Sequence, residues 1–135
     1  MSENIRKGLT EVINLCHNAS YNRGWWHDQE TGNPLLVKDG MSPFGEKYIK
    51  CTKLLLAISE TAEAMEGLRT NAPDDKLPQF SMETVEIADH LIRLFDYIGA
   101  YNLPVVDAIM AKVDFNATRP DHDPENRKKP GGKSF

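Results

Sequence analysis

Apolar positions in this chain recur every three to four residues over four stretches, and no stretch sustains the period-two alternation of a half-buried strand. Over 5–21, Ile5, Leu9, Val12, Ile13 and Cys16 share one face, and Asn22, Arg23 and Gly24 end the pattern. A polar stretch over 25–43, punctuated by Gly32, Pro34, Gly40 and Pro43, predicts a loop that is long for a compact domain. A second helix is predicted over 45–70, stopped by 71–79 with Pro73 and Pro78. Ser81 is suited to cap a third helix that reaches about residue 101. Asn102, Leu103 and Pro104 make a short connection, with Pro104 near the first turn of a fourth helix ending at 116 or 117. The pattern predicts an all-α fold, a bundle of about four helices in one domain over 1–117, whose last three helices run antiparallel. Residues 118–135 read as loop and tail.

A length of 135 residues fits that single domain. No run of about 18 apolar residues suggests a membrane span, and the first residues lack the apolar stretch of a secretory leader. Cys16 and Cys51 form no CxxC pair, which argues against a disulfide framework and a zinc ribbon, so the expected location is cytoplasmic. Charge changes the picture more. Residues 1–125 carry 12 basic against 20 acidic side chains, and Arg127, Lys128, Lys129 and Lys133 follow. An acidic body argues against a nucleic-acid polymer as partner. The basic end reads either as a solubilising tail or as a strap over phosphate.

Candidate chemistry lies in carboxylate spacing. At about 100° per residue, Glu86, Asp89, His90, Arg93, Asp96 and Tyr97 fall within about 120° of an otherwise apolar third helix. On the second helix Glu60 and Glu63 lie one turn apart, beside Leu56, Ala64 and Gly67. Antiparallel packing of the two helices places Glu60 and Glu63 opposite Glu86 and Asp89. Carboxylates so crowded repel by about 4 kcal/mol per pair at 4 Å and an effective dielectric near 20, which calls for a cation among them. Hard oxygen ligands without Cys or paired His favour Mg²⁺, with Mn²⁺ as a substitute. A di-iron bundle would need an ExxH pair on two helices, and neither Glu60 nor Glu63 has a His three residues on. Asp96 is expected to act either as a further ligand or as an ion-pair partner of Arg93.

The spacing Glu60-x-x-Glu63 followed by Glu86-x-x-Asp89 resembles the MazG-like all-α nucleoside triphosphate pyrophosphohydrolases. The likeness extends to Lys112-x-x-x-Asn116-x-x-Arg119-Pro120, to the tail Lys129-Pro130-Gly131-Gly132-Lys133-Ser134-Phe135, and to Gly24-Trp25-Trp26. Ser59 stands where that family often has a further Glu. The resemblance implies Mg²⁺-dependent cleavage of nucleoside or deoxynucleoside triphosphates to monophosphate and pyrophosphate. It implies metal ligation and catalysis by Glu60, Glu63, Glu86 and Asp89, and substrate binding by Lys112, Asn116, Arg119 and Lys133. Trp25 and Trp26 are expected either to stack on the base or to cap the core. A homodimer or homotetramer with sites at subunit interfaces is implied as well. Two other readings stay open: a non-catalytic module that binds nucleotide or a partner, and a structural helical oligomer with an ordinary acidic stripe.

Overall fold

A computed structural model describes residues 2–36 and 43–133. The fold is all-helical: α1 (Ser2–Asn22), α2 (Pro43–Thr70), α3 (Met82–Ala100), α4 (Val105–Ala117) and the single-turn α5 (Pro124–Arg127). Among the described residues there is no strand, only the isolated bridges His27–Pro34 and Pro73–Ser81. No described helix is long and apolar enough to cross a membrane.

Ser81 caps α3 as its sequence position predicts, its hydroxyl accepting from the Thr84 N–H at 3.2 Å. The preceding loop is pinned by buried Asp74, whose Oδ1 accepts from the amides of Lys76 and Leu77. Beyond α4 the chain keeps more structure than a tail. Pro120–His122 forms a 3₁₀ turn, and Asp123 caps α5 by accepting from the amides of Glu125 and Asn126 at 2.9 and 3.1 Å. A proline in the first turn behind an aspartate cap is a helix start, which overrides the reading of 118–135 as loop and tail. Ser134 and Phe135 of the tail motif, and residues 37–42 of the long loop, lie outside the described residues.

The centre is α3, packed between α2 and α1. The face of α2 turned to α3 carries Lys53, Ala57, Glu60, Ala64 and Gly67, spaced at three and four residues, and the last four are buried. Small side chains let the helices close up. A Cβ on Gly67 would stand 2.7 Å from the Glu83 amide nitrogen and 2.9 Å from the Met82 Cβ. Gly99 does the same against α1, where a Cβ would meet His17 Cβ at 2.7 Å. By contrast α4 buries no residue and touches α1 only lightly, chiefly through the Arg6–Asp107 ion pair. The expected antiparallel trio of α2, α3 and α4 is therefore replaced by a trio of α1, α3 and α2.

Polarity is distributed unusually. Glu60, Asp74 and Asp96 are buried, whereas Leu54, Leu55, Ile58, Met65 and Leu68 of α2 and Ile87, Leu91 and Ile92 of α3 face outward. Exposed apolar side chains in such number are more than an isolated chain normally leaves to water.

Candidate functional site

Glu60 is held inside the α2–α3 seam, 6% exposed, because Ala57 and Ala64 on either side give α3 room to approach. One turn on, Glu63 is exposed, and Glu86 reaches across from α3. One carboxylate oxygen from each of Glu60, Glu63 and Glu86 lies within 4.8 Å of the other two. Arg93 is part of the same cluster: its Nε donates to Glu60 Oε1 at 2.5 Å. Glu86 is pushed up to about 7, first by the loss of water around it, then by hydrogen bonding to Glu60 and the charges of Glu63, Glu60 and Asp89. A proton on Glu86 and the Arg93 guanidinium together relieve the repulsion.

The trio fits a hard divalent cation. All donors are carboxylate oxygens, and spacings below 4.8 Å need little closure to meet around one ion with ligand distances near 2.1 Å. Asp89 falls outside the trio. It is exposed and acts on Glu86 by charge alone, while its side chain lines a neighbouring cavity of about 470 Å³. The expected set of four ligands is thus a set of three with Asp89 beside it.

That cavity has Trp25, Leu56 and Ile92 as apolar wall and Lys53, Arg93 and Asp96 as polar wall. Its volume lies in the range of about 300–1,000 Å³ usual for small-molecule sites. Arg93 lines the cavity and bonds Glu60, so it links the cavity to the trio, although none of the three carboxylates lines the cavity itself. Lys53 donates to the Trp25 carbonyl at 2.9 Å and sits 4.1 Å above the Trp26 ring. Its pKa is lowered, mainly by burial.

Trp26 is fully buried and Trp25 is 66% exposed. Of the two roles considered for the pair, Trp26 takes the core and only Trp25 offers a free ring face. The Trp26 indole N–H donates to Asp96 Oδ1 at 2.7 Å, and His17 Nδ1 meets the same oxygen at 2.9 Å. Asp96 therefore pairs with neither Arg93 nor the trio, contrary to both roles expected of it. Its position explains why: 80° around α3 from Glu86, it looks toward α1 rather than α2.

Lys112, Asn116, Arg119 and Lys133 lie elsewhere. Lys112 stands 4.9 Å over the Phe115 ring, and Arg119 is engaged by Asp121 at 2.6 Å. Lys133 also approaches Asp121, at 3.9 Å, and Asn116 keeps a buried Oδ1 without a hydrogen-bond partner among the described residues. None of the four lines the cavity or contacts the trio within this chain. Sequence reasoning overlooked Lys53 and the pairing of Arg93. Both were legible, since Lys53 precedes Glu60 by seven residues and Arg93 follows Glu86 by seven, which puts each on the seam-facing side of its helix. No protein-family model matches this chain, nor does any curated protein or solved structure.

Proposed function

We infer that this chain is a divalent-metal-dependent nucleotide pyrophosphohydrolase of the MazG-like kind, cleaving nucleoside or deoxynucleoside triphosphates to monophosphate and pyrophosphate. One observation carries the reading: Arg93 joins the trio Glu60, Glu63 and Glu86, through its bond to Glu60, to a cavity of about 470 Å³ lined also by Trp25 and Lys53. The resemblance of the two carboxylate pairs to that family supports it independently. Glu60, Glu63 and Glu86 are the residues to hold Mg²⁺ or Mn²⁺. When bound, such an ion neutralises phosphate charge and lowers the pKa of a coordinated water.

Within the protein the roles divide by surroundings. Glu60 is tied to Arg93, so it holds its place and orients the seam. Glu63, exposed and without a hydrogen bond among the described residues, is the carboxylate suited to take a proton from the attacking water. Asp89 stands between the trio and the cavity, where it steers the phosphate chain by repulsion. Arg93 and Lys53 offer positive charge to the phosphates, with the Trp25 ring beside the base. The outward leucines of α2 and α3 support a homodimer or homotetramer, in which Lys112, Asn116, Arg119 and Lys133 of a second copy complete the phosphate site.

The test is pyrophosphate release from a panel of NTPs and dNTPs with Mg²⁺, for wild type, Glu63→Gln and Asp89→Asn. The expected result is a loss of at least about 100-fold for Glu63→Gln and a smaller loss for Asp89→Asn, with helical circular dichroism kept. Undiminished turnover in Glu63→Gln refutes the assignment. A second reading, a nucleotide-binding module without turnover, is favoured by Arg93, because a guanidinium already serves as counter-ion to Glu60. Calorimetry separates the two: nucleotide binding with Mg²⁺ but no pyrophosphate identifies the module.

A further inference from the structure

We propose that the cavity beside the carboxylate trio selects nucleobases bearing an exocyclic amino group over the imide bases thymine and uracil, and that Asp96 is the specificity-determining residue. The proposal rests on the nucleotide reading above and adds to it what the base must be.

Asp96 is 5% exposed, yet it lines the cavity. Both of its hydrogen bonds, from the Trp26 indole N–H and from His17 Nδ1, converge on Oδ1. Among the described residues no hydrogen bond reaches Oδ2, so it is the acceptor that Asp96 can offer to the cavity it lines. A carboxylate oxygen on the wall of a cavity, in a side chain otherwise buried, is a strong acceptor for a donor that the cavity takes up in place of water. Trp26 and His17 fix the carboxylate from behind, so the free oxygen does not swing away to find another. Lys53 and Arg93, which the nucleotide reading gives to the phosphates, donate to the Trp25 carbonyl and Glu60 and not to Asp96. Trp25 offers a ring face, and Leu56 and Ile92 offer apolar contact, which together suit a flat heterocycle.

The chemistry of Oδ2 then sorts the bases. The amino groups of cytosine, adenine and guanine project from the ring and reach a recessed acceptor. The imide N–H of thymine and uracil is set back between two carbonyls, so its approach drives carbonyl lone pairs against the carboxylate. A hydrogen bond to a charged acceptor favours the first class by about 10- to 100-fold.

The probe is the monophosphate, which needs no turnover. Binding of dCMP, dAMP, dGMP, TMP and dUMP to the full chain is measured by calorimetry and by quenching of tryptophan fluorescence. Wild type is expected to bind at least one amino-bearing monophosphate about tenfold or more tightly than TMP and dUMP. Asp96→Asn, which keeps an oxygen for Trp26 and His17 and turns an amide N–H₂ to the cavity, is expected to erase or reverse that order. Should Asp96→Asn fail to fold, the wild-type ranking decides, together with Leu56→Phe, which narrows the cavity without touching Asp96 and should weaken all five. Equal binding of TMP and dCMP by wild type, no binding of any monophosphate, or an unchanged ranking in folded Asp96→Asn overturns the proposal. Pyrophosphate release from every dNTP at one rate would leave the hydrolase reading standing and sink this one. Selective binding of amino-bearing monophosphates with no pyrophosphate from any dNTP does the reverse.

Discussion

Replacing Glu86 by Gln should stabilise the metal-free protein and at the same time remove its response to Mg²⁺. In the folded chain the Glu86 carboxylate shares a space of less than 4.8 Å with those of Glu60 and Glu63. At that distance one pair repels by about 3.5 kcal/mol at an effective dielectric of 20, and by about 0.9 kcal/mol in water. Glu86 and Glu63 are both open to solvent in part, and Arg93 offsets Glu60, so about 1–2 kcal/mol is the reasonable net gain. The pH dependence fixes the sign. A pKa of about 7 in the fold against about 4.5 for a free glutamate means that the folded state holds its proton more tightly. The stabilisation from that proton is complete below about pH 4.5 and is lost as the pH climbs to 7. Wild type and Glu86→Gln should therefore melt nearly together at pH 4.5 and diverge above it, with the variant about 3–8 °C higher in chelator at pH 8.

Adding Mg²⁺ at pH 8 should invert the order. Wild type gains about 2.7 kcal/mol at a hundredfold excess over Kd, while Glu86→Gln, with one ligand fewer, gains little. Scanning calorimetry at pH 4.5, 6 and 8, with chelator and with Mg²⁺, reads all of this. Identical melting of the two proteins in chelator at pH 8, or an equal shift with Mg²⁺, refutes the reasoning, since the three carboxylates would then not share one electrostatic site.

Three further outcomes test the framework around that site. Gly67→Ala should cost about 1–3 kcal/mol in denaturant unfolding despite the better helix propensity of alanine, because the Cβ lands on the backbone of α3. Trp26→Phe should lose about 2–3 kcal/mol by stripping the indole donor from buried Asp96, whereas Trp25→Phe should leave the melting temperature within a degree or two and remove the red-edge, quencher-accessible emission. Ellman's reagent should titrate one thiol per native chain, exposed Cys51, and a second only on unfolding, since burial and then the charge of Asp96 push the Cys16 thiol up.

Much of the fold was legible because its boundaries are set by local chemistry. Ser81 as cap, Pro73 and Pro78 as breakers and the 102–104 connection each act within a few residues of themselves, and the helices end where they dictate. The partner of each helix was a different matter. Short links suggested that α4 folds back on α3, but its apolar positions Ile109, Val113 and Phe115 stay exposed, and α1 fills the place beside α3 instead. What decides this is a pair of glycines, Gly67 on α2 toward α3 and Gly99 on α3 toward α1, one in each of the two seams that α3 makes. Close approach of backbones is a property of two elements at once, so it leaves no periodic trace in either.

The site divides in the same way. Reading α3 as one polar stripe about 120° wide placed Glu86 and Asp89 at a single ion, yet a stripe that wide spans two directions in space. Glu86 points to the carboxylates of α2, whereas Asp89 and Asp96, only about 20° apart, share the side that faces the wedge between α1 and α2. Arg93 lies between the two sectors and joins them, one end on Glu60 and its flank on the cavity. One helix face thus contributes both to the cluster of negative oxygens, through Glu86, and to the neighbouring cavity, through Asp89, Arg93 and Asp96. Angular separation along α3 was present in the sequence from the outset. What it lacked was the division of roles between Trp25 and Trp26, which is decided by the burial of one indole against Asp96, a residue 70 positions away.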